Sequence, residues 1–296
     1  MRYTSSPWGF RFWDFERYCD FMKKIEIQDI CSMFMFKGGE TLTLLFRRDR
    51  DEIKRARETA DRKGIRLIEV SITDKWKEEI PLAEILGVKY LRVCTVWEDK
   101  KEVFNNVVEE LKETGKMASE YGMEVVVENH GGPMTKAERC KQLIEAVGMD
   151  NVKINYDPAN FLYYGEDPVS AIDYILPYIG FTHFKSVKYQ DGKPKYCRLS
   201  EGVIDYKKVF EKLFNSVPSS LGKESKDSLS VPSPLGKESK DSLSVPSPLR
   251  GEGKDEGGKD VKSYTGYIGL EYEEPTDVEQ GTIDDFNYLK NILERR

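Results

Sequence analysis

Four side chains that can bind a metal ion or transfer protons lie at the ends of β-type segments. Glu128 ends the apolar part of EVVVENHGG, Asp157 follows VKINY, His183 lies in the segment 178–184, and Glu271 lies in YIGLEY. The run before Glu128 has no polar alternation, which is typical of a strand buried on both faces of a parallel sheet. Three carboxylates that share one space repel each other unless a divalent cation neutralises them, and an imidazole beside them can serve as a further ligand. An oxygen-rich set with one nitrogen predicts one divalent metal ion, with Mn²⁺ preferred and Mg²⁺, Co²⁺ or Zn²⁺ as alternatives.

Each of these residues also has a simpler interpretation. Glu128 can cap a helix or belong to a polar loop, Asp157 can start a turn before a proline, and Glu271 can belong to a solvated acidic edge. His183 can be a hydrogen-bonded core histidine. The chain has only two histidines, and both lie at predicted strand ends, which favours a ligand role for His183.

Strands that alternate with helices would position the four residues. Strands are predicted at 2–5, 24–31, 65–72, 89–96, the segment that ends at Glu128, 152–156, 178–184 and 267–272. Helices are predicted at 14–24, 48–63, 77–86, 101–121, 135–147, 167–175, 205–214 and 283–294. This α/β pattern predicts a (β/α)8 TIM barrel, in which the four residues lie on four successive strands at the carboxyl-end rim. An open doubly wound sheet is the alternative, and it is weakened because no Gly-rich phosphate loop opens an early helix.

The segment 216–260 departs from this pattern. It repeats SVPSPLGKESKDSL-type sequence with a period of 14 and is rich in Ser, Pro, Gly and Lys, which predicts a disordered, low-complexity insertion before the last strand. The remainder has about the 250 residues typical of this barrel. We therefore expect one TIM-barrel domain over 1–296 that this insertion interrupts.

Composition limits the classes of partner and compartment. The net charge of −6 and pI near 5.4 disfavour nucleic-acid binding. Five widely spaced cysteines without a CxxC pair indicate neither a disulfide framework nor a cysteine zinc site, and they fit a reducing cytoplasm. No signal peptide and no apolar run of ~20 residues is present, so no membrane span is expected. A homo-oligomer remains open.

The motifs ENHGG, NYDPANF, THFK, LSEGVIDY and YIGLEYE together resemble the sugar phosphate isomerase/epimerase family of xylose isomerase-like TIM barrels. That family includes ketose 3-epimerases, hydroxypyruvate isomerase and inosose dehydratase. The resemblance implies that the metal ligands are Glu128, Asp157, His183 and Glu271. It also implies that Glu128 and Glu271 are the catalytic acid/base pair, and that Asn160, Lys185 and His130 line the substrate pocket.

This resemblance fits a known type of proton transfer. A carbonyl moves along a polyol when a Lewis acid polarises it, and a carboxylate on each face of the enediolate can remove and return a proton. We therefore expect a cytoplasmic isomerase or epimerase that acts on a small sugar or polyol. An inosose-type dehydratase and a non-catalytic sugar-binding barrel are the alternatives.

Two further side chains are candidates for substrate contact. Lys185 can stabilise an oxyanion or bind a carboxylate, and Trp8 can stack on a sugar, although each also has an ordinary structural interpretation.

The sequence departs from the pattern of some sugar epimerases at Asn160, where those enzymes carry a histidine, and this leaves the substrate class open. A related zinc nuclease activity on apurinic DNA is disfavoured because it needs several histidines.

Overall fold

A closed barrel of eight parallel strands forms the centre of the molecule. The computed structural model describes residues 1–214 and 263–294, so the predicted insertion at 216–260 lies outside the described residues. The strands are β1 (Arg2–Ser5), β2 (Asp29–Met33), β3 (Arg66–Ser71), β4 (Tyr90–Cys94), β5 (Glu124–Glu128), β6 (Val152–Tyr156), β7 (Ile179–Phe184), β8 (Ser186–Gln190), β9 (Lys193–Cys197) and β10 (Tyr267–Leu270). The barrel order is β1-β10-β7-β6-β5-β4-β3-β2, closed by pairing of β1 with β2. The predicted (β/α)8 fold is confirmed.

Helices cover the outside of this barrel. They are α1 (Phe15–Lys24), α2 (Arg50–Lys63), α3 (Trp76–Leu86), α4 (Lys101–Glu120), α5 (Ala137–Val147), α6 (Pro158–Tyr163), α7 (Pro168–Ile175), α8 (Tyr206–Phe214) and α9 (Val278–Glu294). Asp14 caps α1 by accepting a hydrogen bond from the Arg17 amide at 2.8 Å. Gly64, with φ of 70°, ends α2 in the left-handed conformation that glycine adopts without strain. No helix in the described part of the chain is long and apolar enough to cross a membrane.

Apolar side chains fill two layers. The larger layer lies between the strands and the helices. The smaller one fills the inside of the barrel with residues from six strands, namely Cys31, Ile68, Tyr90, Val126, Phe181 and Tyr267. Because the rings of Phe181 and His183 meet at 5.7 Å, this apolar plug lies directly against His183. The polar site at the rim therefore lies directly above an apolar layer inside the barrel.

The structure differs from the local predictions at four places, one of which is the last helix, predicted at 283–294, that begins at Val278. The strand predicted at 24–31 begins only at Asp29, because α1 runs to Lys24 and Glu26 reverses the chain with φ of 63°. Helix α6 was not predicted, and it begins directly after Asp157. The antiparallel hairpin β8–β9 was also not predicted, and its Asp191-Gly192 turn has the positive φ angles of a type I′ turn.

Candidate metal centre at the barrel mouth

The four strand-end residues meet at the carboxyl-end rim of the barrel. Glu128 is the last residue of β5, Asp157 follows β6, His183 lies near the end of β7, and Glu271 follows β10. These strands are neighbours in the barrel, and all four side chains are buried. Parallel strands bring their carboxyl ends to one rim, so residues far apart in the sequence share one space.

Three of the four residues form a compact group. Glu128, His183 and Glu271 each offer a ligand atom, and these atoms lie within 4.8 Å of one another. His183 Nδ1 is 3.4 Å from Glu271 Oε1. Ser6 at the end of β1 donates a hydrogen bond of 2.7 Å to the same Glu271 oxygen, a contact that the sequence did not predict.

Asp157 is placed beside this group rather than within it. Its Oδ1 caps α6 by accepting hydrogen bonds from the amides of Ala159 at 2.8 Å and Asn160 at 3.2 Å. Its Oδ2 faces Lys185 Nζ at 3.2 Å. One carboxylate oxygen is therefore committed to the helix and the other points toward the site.

A buried ion pair inside the barrel was missed by sequence reasoning. Glu69 on β3 is 0% exposed and Arg92 on β4 is 4% exposed. The Arg92 guanidinium lies between two carboxylates, with Nη1 2.5 Å from Glu128 Oε2 and Nε 3.4 Å from Glu69 Oε1. The second Glu69 oxygen, Oε2, is 3.6 Å from His183 Nε2. Glu69 therefore contacts the imidazole from the side opposite to Glu271.

The pKa values of Glu128 and Asp157 are shifted in opposite directions, because the charges around the two buried carboxyls differ. Burial disfavours ionised Glu128, but the Arg92 charge outweighs it and lowers the pKa of Glu128 to about 2. Burial, with the negative charges of Glu271 and Glu128, raises the pKa of Asp157 to about 7, and Lys185 offsets only part of this. The two carboxylates thus differ in affinity for a proton although both are buried.

The arrangement fits a divalent cation. Both ring nitrogens of His183 are buried and lack a hydrogen-bond partner within the described residues. A buried nitrogen without a partner is costly unless a ligand completes its interactions. Carboxylate oxygens and one imidazole nitrogen at this spacing are a donor set for a divalent ion of the Mn²⁺, Mg²⁺, Co²⁺ or Zn²⁺ type.

Lys185 and Asn160 lie in the site, whereas His130 and Trp8 lie at its edge. Lys185 Nζ contacts Glu271 Oε2 at 3.0 Å and Glu273 Oε1 at 2.7 Å, and Asn160 donates to Glu128 Oε1 at 3.3 Å. The side chain of His130 is exposed, and only its backbone amide contacts the strand end. Trp8 is half-buried, and its amide lies 3.5 Å from Ser6 Oγ.

A cavity of about 460 Å³ opens onto this rim and is lined by Lys185 and Glu271. A larger cavity of about 1030 Å³ lies at the opposite end of the barrel, where strands begin at Tyr90, Glu124 and Val152. None of the four strand-end residues lines it. Because the ionisable groups converge at the carboxyl-end rim, we assign the smaller cavity to the site.

Comparisons with known proteins agree with this architecture. A family model described as the xylose isomerase-like TIM barrel matches residues 66–234. The chain is 28% identical over 136 residues to an inosose dehydratase of Geobacillus thermodenitrificans, and 25% identical over 133 residues to one of Bacillus thuringiensis. These matches cover 39% of this chain and 46% and 44% of those proteins, so the chain spans less than half of the length of these relatives.

Solved structures resemble the whole chain at low sequence identity. A xylose isomerase domain protein from Planctomyces limnophilus gives a TM-score of 0.70 at 14% identity, covering 100% of this chain and 97% of that one. An L-ribulose 3-epimerase gives 0.66 at 13% identity, with 99% and 95% covered. The IOLI protein, solved with a zinc atom, gives 0.68 at 13% identity, with 100% and 99% covered. At these identities the likeness shows the fold.

Proposed function

Because the chain belongs to the xylose isomerase-like TIM-barrel family, we propose that it is a divalent-metal-dependent isomerase or epimerase of a small hydroxy-ketone or ketose. The observation that carries this proposal is the convergence of Glu128, His183 and Glu271 ligand atoms within 4.8 Å at the barrel mouth. Glu128, Asp157, His183 and Glu271 would hold the ion. A solved structure of the same fold is named an L-ribulose 3-epimerase, which supports this reaction type as the proposal.

Glu128 and Glu271 are proposed to exchange protons with the substrate. Arg92 keeps Glu128 ionised, since it lowers the pKa of that carboxyl to about 2. Such a weakly basic carboxylate needs an acidified carbon-bound proton, and a bound divalent ion supplies this by polarising the neighbouring carbonyl. Burial disfavours ionised Glu271, but the charges of Lys185 and His183 outweigh it and lower the pKa of this carboxyl, so Glu271 also rests ionised. It would first take up a proton from solvent and then deliver it to the neighbouring carbon or to the opposite face of the same carbon, while the proton removed by Glu128 passes to solvent.

Lys185 and Asn160 assist these two carboxylates. The Lys185 ammonium lies 3.0 Å from Glu271 Oε2, so it can stabilise negative charge that develops on a substrate oxygen nearby. Asn160 donates to Glu128 Oε1 at 3.3 Å and thereby holds the orientation of that carboxylate. Trp8 and His130 do not line the cavity, and we propose them only as contacts for a substrate that extends beyond it.

Solvent-proton exchange tests the proposal. Protein loaded with Mn²⁺, Mg²⁺, Co²⁺ or Zn²⁺ is incubated with a panel of ketoses in D₂O, and deuterium at the carbon next to the carbonyl is followed by NMR. We expect exchange that requires the metal and falls at least ~100-fold in Glu128→Gln and in Glu271→Gln. Glu98→Gln, an exposed glutamate of the same rim, is the control and should exchange normally. Exchange that persists in both site variants would remove these residues from the chemistry.

A dehydratase is the second candidate, because the curated relatives that match are named inosose dehydratases. The first step is the same proton removal by a carboxylate, after which a β-hydroxyl leaves as water. Mass spectrometry of the product separates the two, because dehydration makes the product lighter by one water and isomerisation leaves its mass unchanged.

A further inference from the structure

The cavity at the barrel mouth has an excess of basic side chains. Its charged lining residues are Arg11, Lys185, Lys188, Lys195, Arg198, Glu201, Glu271, Glu273 and Glu274. The cavity lining therefore contains five basic and four acidic groups, although the net charge of the chain is −6. A bound divalent ion would make this region more positive still. Such a local excess attracts an anion.

Two of the basic groups have no carboxylate partner within the described residues. Arg11 Nη1 donates to two backbone carbonyls, those of Trp8 at 2.8 Å and Glu273 at 3.1 Å. These bonds fix the guanidinium at the cavity wall without neutralising its charge. Lys195 Nζ contacts only the neutral Gln190 Oε1 at 3.4 Å. The other three basic groups are ion-paired, as Lys188 is with Glu201 at 2.6 Å.

The hairpin β8–β9 places a like charge directly opposite Lys195. In its antiparallel register Lys188 and Lys195 are cross-strand partners, and both line the cavity. Like charges in this position destabilise a hairpin. Glu201 offsets the charge of Lys188 alone, so the charge of Lys195 remains available. The hairpin begins one residue after Lys185, which connects this charge to the proposed reaction centre.

We propose that Arg11 and Lys195 bind an anionic end group of the substrate, either a phosphate or a carboxylate. This inference rests on the proposed function, and it narrows the substrate class from any small ketose to one that carries an acidic group. Lys185 and Glu271 line the same cavity, so the uncharged, reacting part of the substrate would extend from the anion toward the strand ends. Guanidinium and ammonium groups are the usual partners of such anions.

Binding of inorganic phosphate tests the inference separately from catalysis. Its dissociation constant is measured by calorimetry on the full chain, with and without the divalent ion. We expect Lys195→Gln and Arg11→Gln to weaken phosphate binding by roughly tenfold, the loss typical of one charged hydrogen bond. Lys193→Gln is the matched control, because it is exposed on the same hairpin and does not line the cavity. Equal phosphate binding by the wild type, Lys195→Gln and Lys193→Gln would overturn the proposal.

Kinetics then separate phosphate from carboxylate as the natural end group. A ketose phosphate, a keto acid and a neutral ketose are compared by kcat/KM. The anionic compound that carries the natural end group should exceed both the other anion and the neutral ketose in kcat/KM, and Lys195→Gln should remove this advantage by raising KM rather than lowering kcat. A neutral ketose that performs as well as both anions would refute the inference while leaving the isomerase proposal intact. Phosphate binding that depends on Lys195, without proton exchange on any compound, would support the anion site and refute the reaction.

Because Arg11 also ties two loops together, its variant can lose stability for structural reasons. Lys195 is exposed and makes one weak contact, so Lys195→Gln is expected to fold normally. A thermal unfolding midpoint close to that of the wild type verifies this. The outcome with Lys195→Gln then decides the proposal by itself.

Discussion

Replacing Glu69 with glutamine or leucine removes the negative charge that faces His183 from inside the barrel. Glu69 Oε2 and His183 Nε2 are 3.6 Å apart, and each is buried without a hydrogen-bond partner within the described residues. A proton on Nε2 would satisfy both atoms after a shift of about half an ångström. That proton leaves Nδ1, the nitrogen near Glu271, free to bind a metal.

The size of the effect follows from this geometry. Loss of an outer partner of a metal-binding histidine weakens metal affinity by about 10–100-fold. Glu69→Gln keeps an acceptor oxygen and loses only the charge, so its loss of metal affinity should be near the low end of this range. Glu69→Leu loses both, so its loss of metal affinity should be near the high end. Both variants also remove one of the two carboxylates that Arg92 contacts, which should lower stability by about 1–3 kcal/mol.

Metal titration, thermal unfolding and ¹⁵N NMR of the imidazoles measure these effects. The chain has two histidines, so His183 is resolved against the exposed His130, and its tautomer in the metal-loaded state can be read directly. In the metal-loaded wild type we expect a single form of His183, with the proton on Nε2. In Glu69→Leu at the same metal concentration we expect an additional, metal-free form, because metal binding is weaker.

Glu79→Gln is the matched control. Glu79, on α3, is a fully buried carboxylate that pairs with Arg48, and it lies outside the strand-end site. It should lower stability without changing metal affinity. If Glu69→Leu behaves in the same way, with metal affinity within twofold of the wild type, Glu69 is only a structural residue and the reasoning is wrong.

Three further predictions concern other parts of the molecule. Gly269→Ala should lower stability by about 1–3 kcal/mol and weaken metal binding, because the added carbon would lie 2.8 Å from His183 Cδ2; unchanged unfolding and metal titration would contradict this. Burial raises the pKa of Asp285 from 3.8 to about 7, so the folded state holds a proton that the unfolded state releases, and wild-type stability should fall between about pH 4 and pH 7. Asp285→Asn, which keeps an acceptor for the Leu199 amide, should gain about 1–4 kcal/mol at pH 8 relative to the wild type and nothing at pH 3, as measured by denaturant unfolding. Lys185→Gln should bind the metal more tightly, because it removes a cation that lies 3.0 Å from an oxygen of the proposed ligand Glu271. Its turnover should nevertheless be at least tenfold slower. Weaker metal binding in this variant would contradict the idea that the Lys185 charge competes with the metal for Glu271.

The strand-end residues could be predicted because they interrupt apolar runs at a definite place. A run such as EVVVE is buried on both faces, so a carboxylate at its end marks the rim of the barrel. Glu69 and Arg92 were missed because they lie within strands. Each lies in the middle of a predicted strand, Glu69 in 65–72 and Arg92 in 89–96, and a charge that is buried there requires a partner, so a signal was present in the sequence.

Other features of the site could not be predicted because the same residues fit more than one structure. Asp157 before a proline fits a turn, a metal ligand or a helix cap, and in the structure one of its oxygens caps α6. The Asp-Gly pair at 191–192 between two alternating segments is a hairpin signal that the barrel pattern obscured. That Arg11 and Lys195 line one cavity could not be predicted, since it depends on how segments far apart in the sequence meet over the rim.

The pairing of β1 with β10 brings together segments about 265 residues apart, as the contact between Ser6 and Glu271 illustrates. Closing a loop of this length costs chain entropy, so we expect this pairing to form late in folding. Glu271 directly follows β10, the strand that closes the barrel against β1, so we expect the ligand set to be complete only after this pairing has formed. A nascent or truncated chain that lacks β10 would therefore have at most three of the proposed ligands, and competence for the reaction would report on completion of the fold.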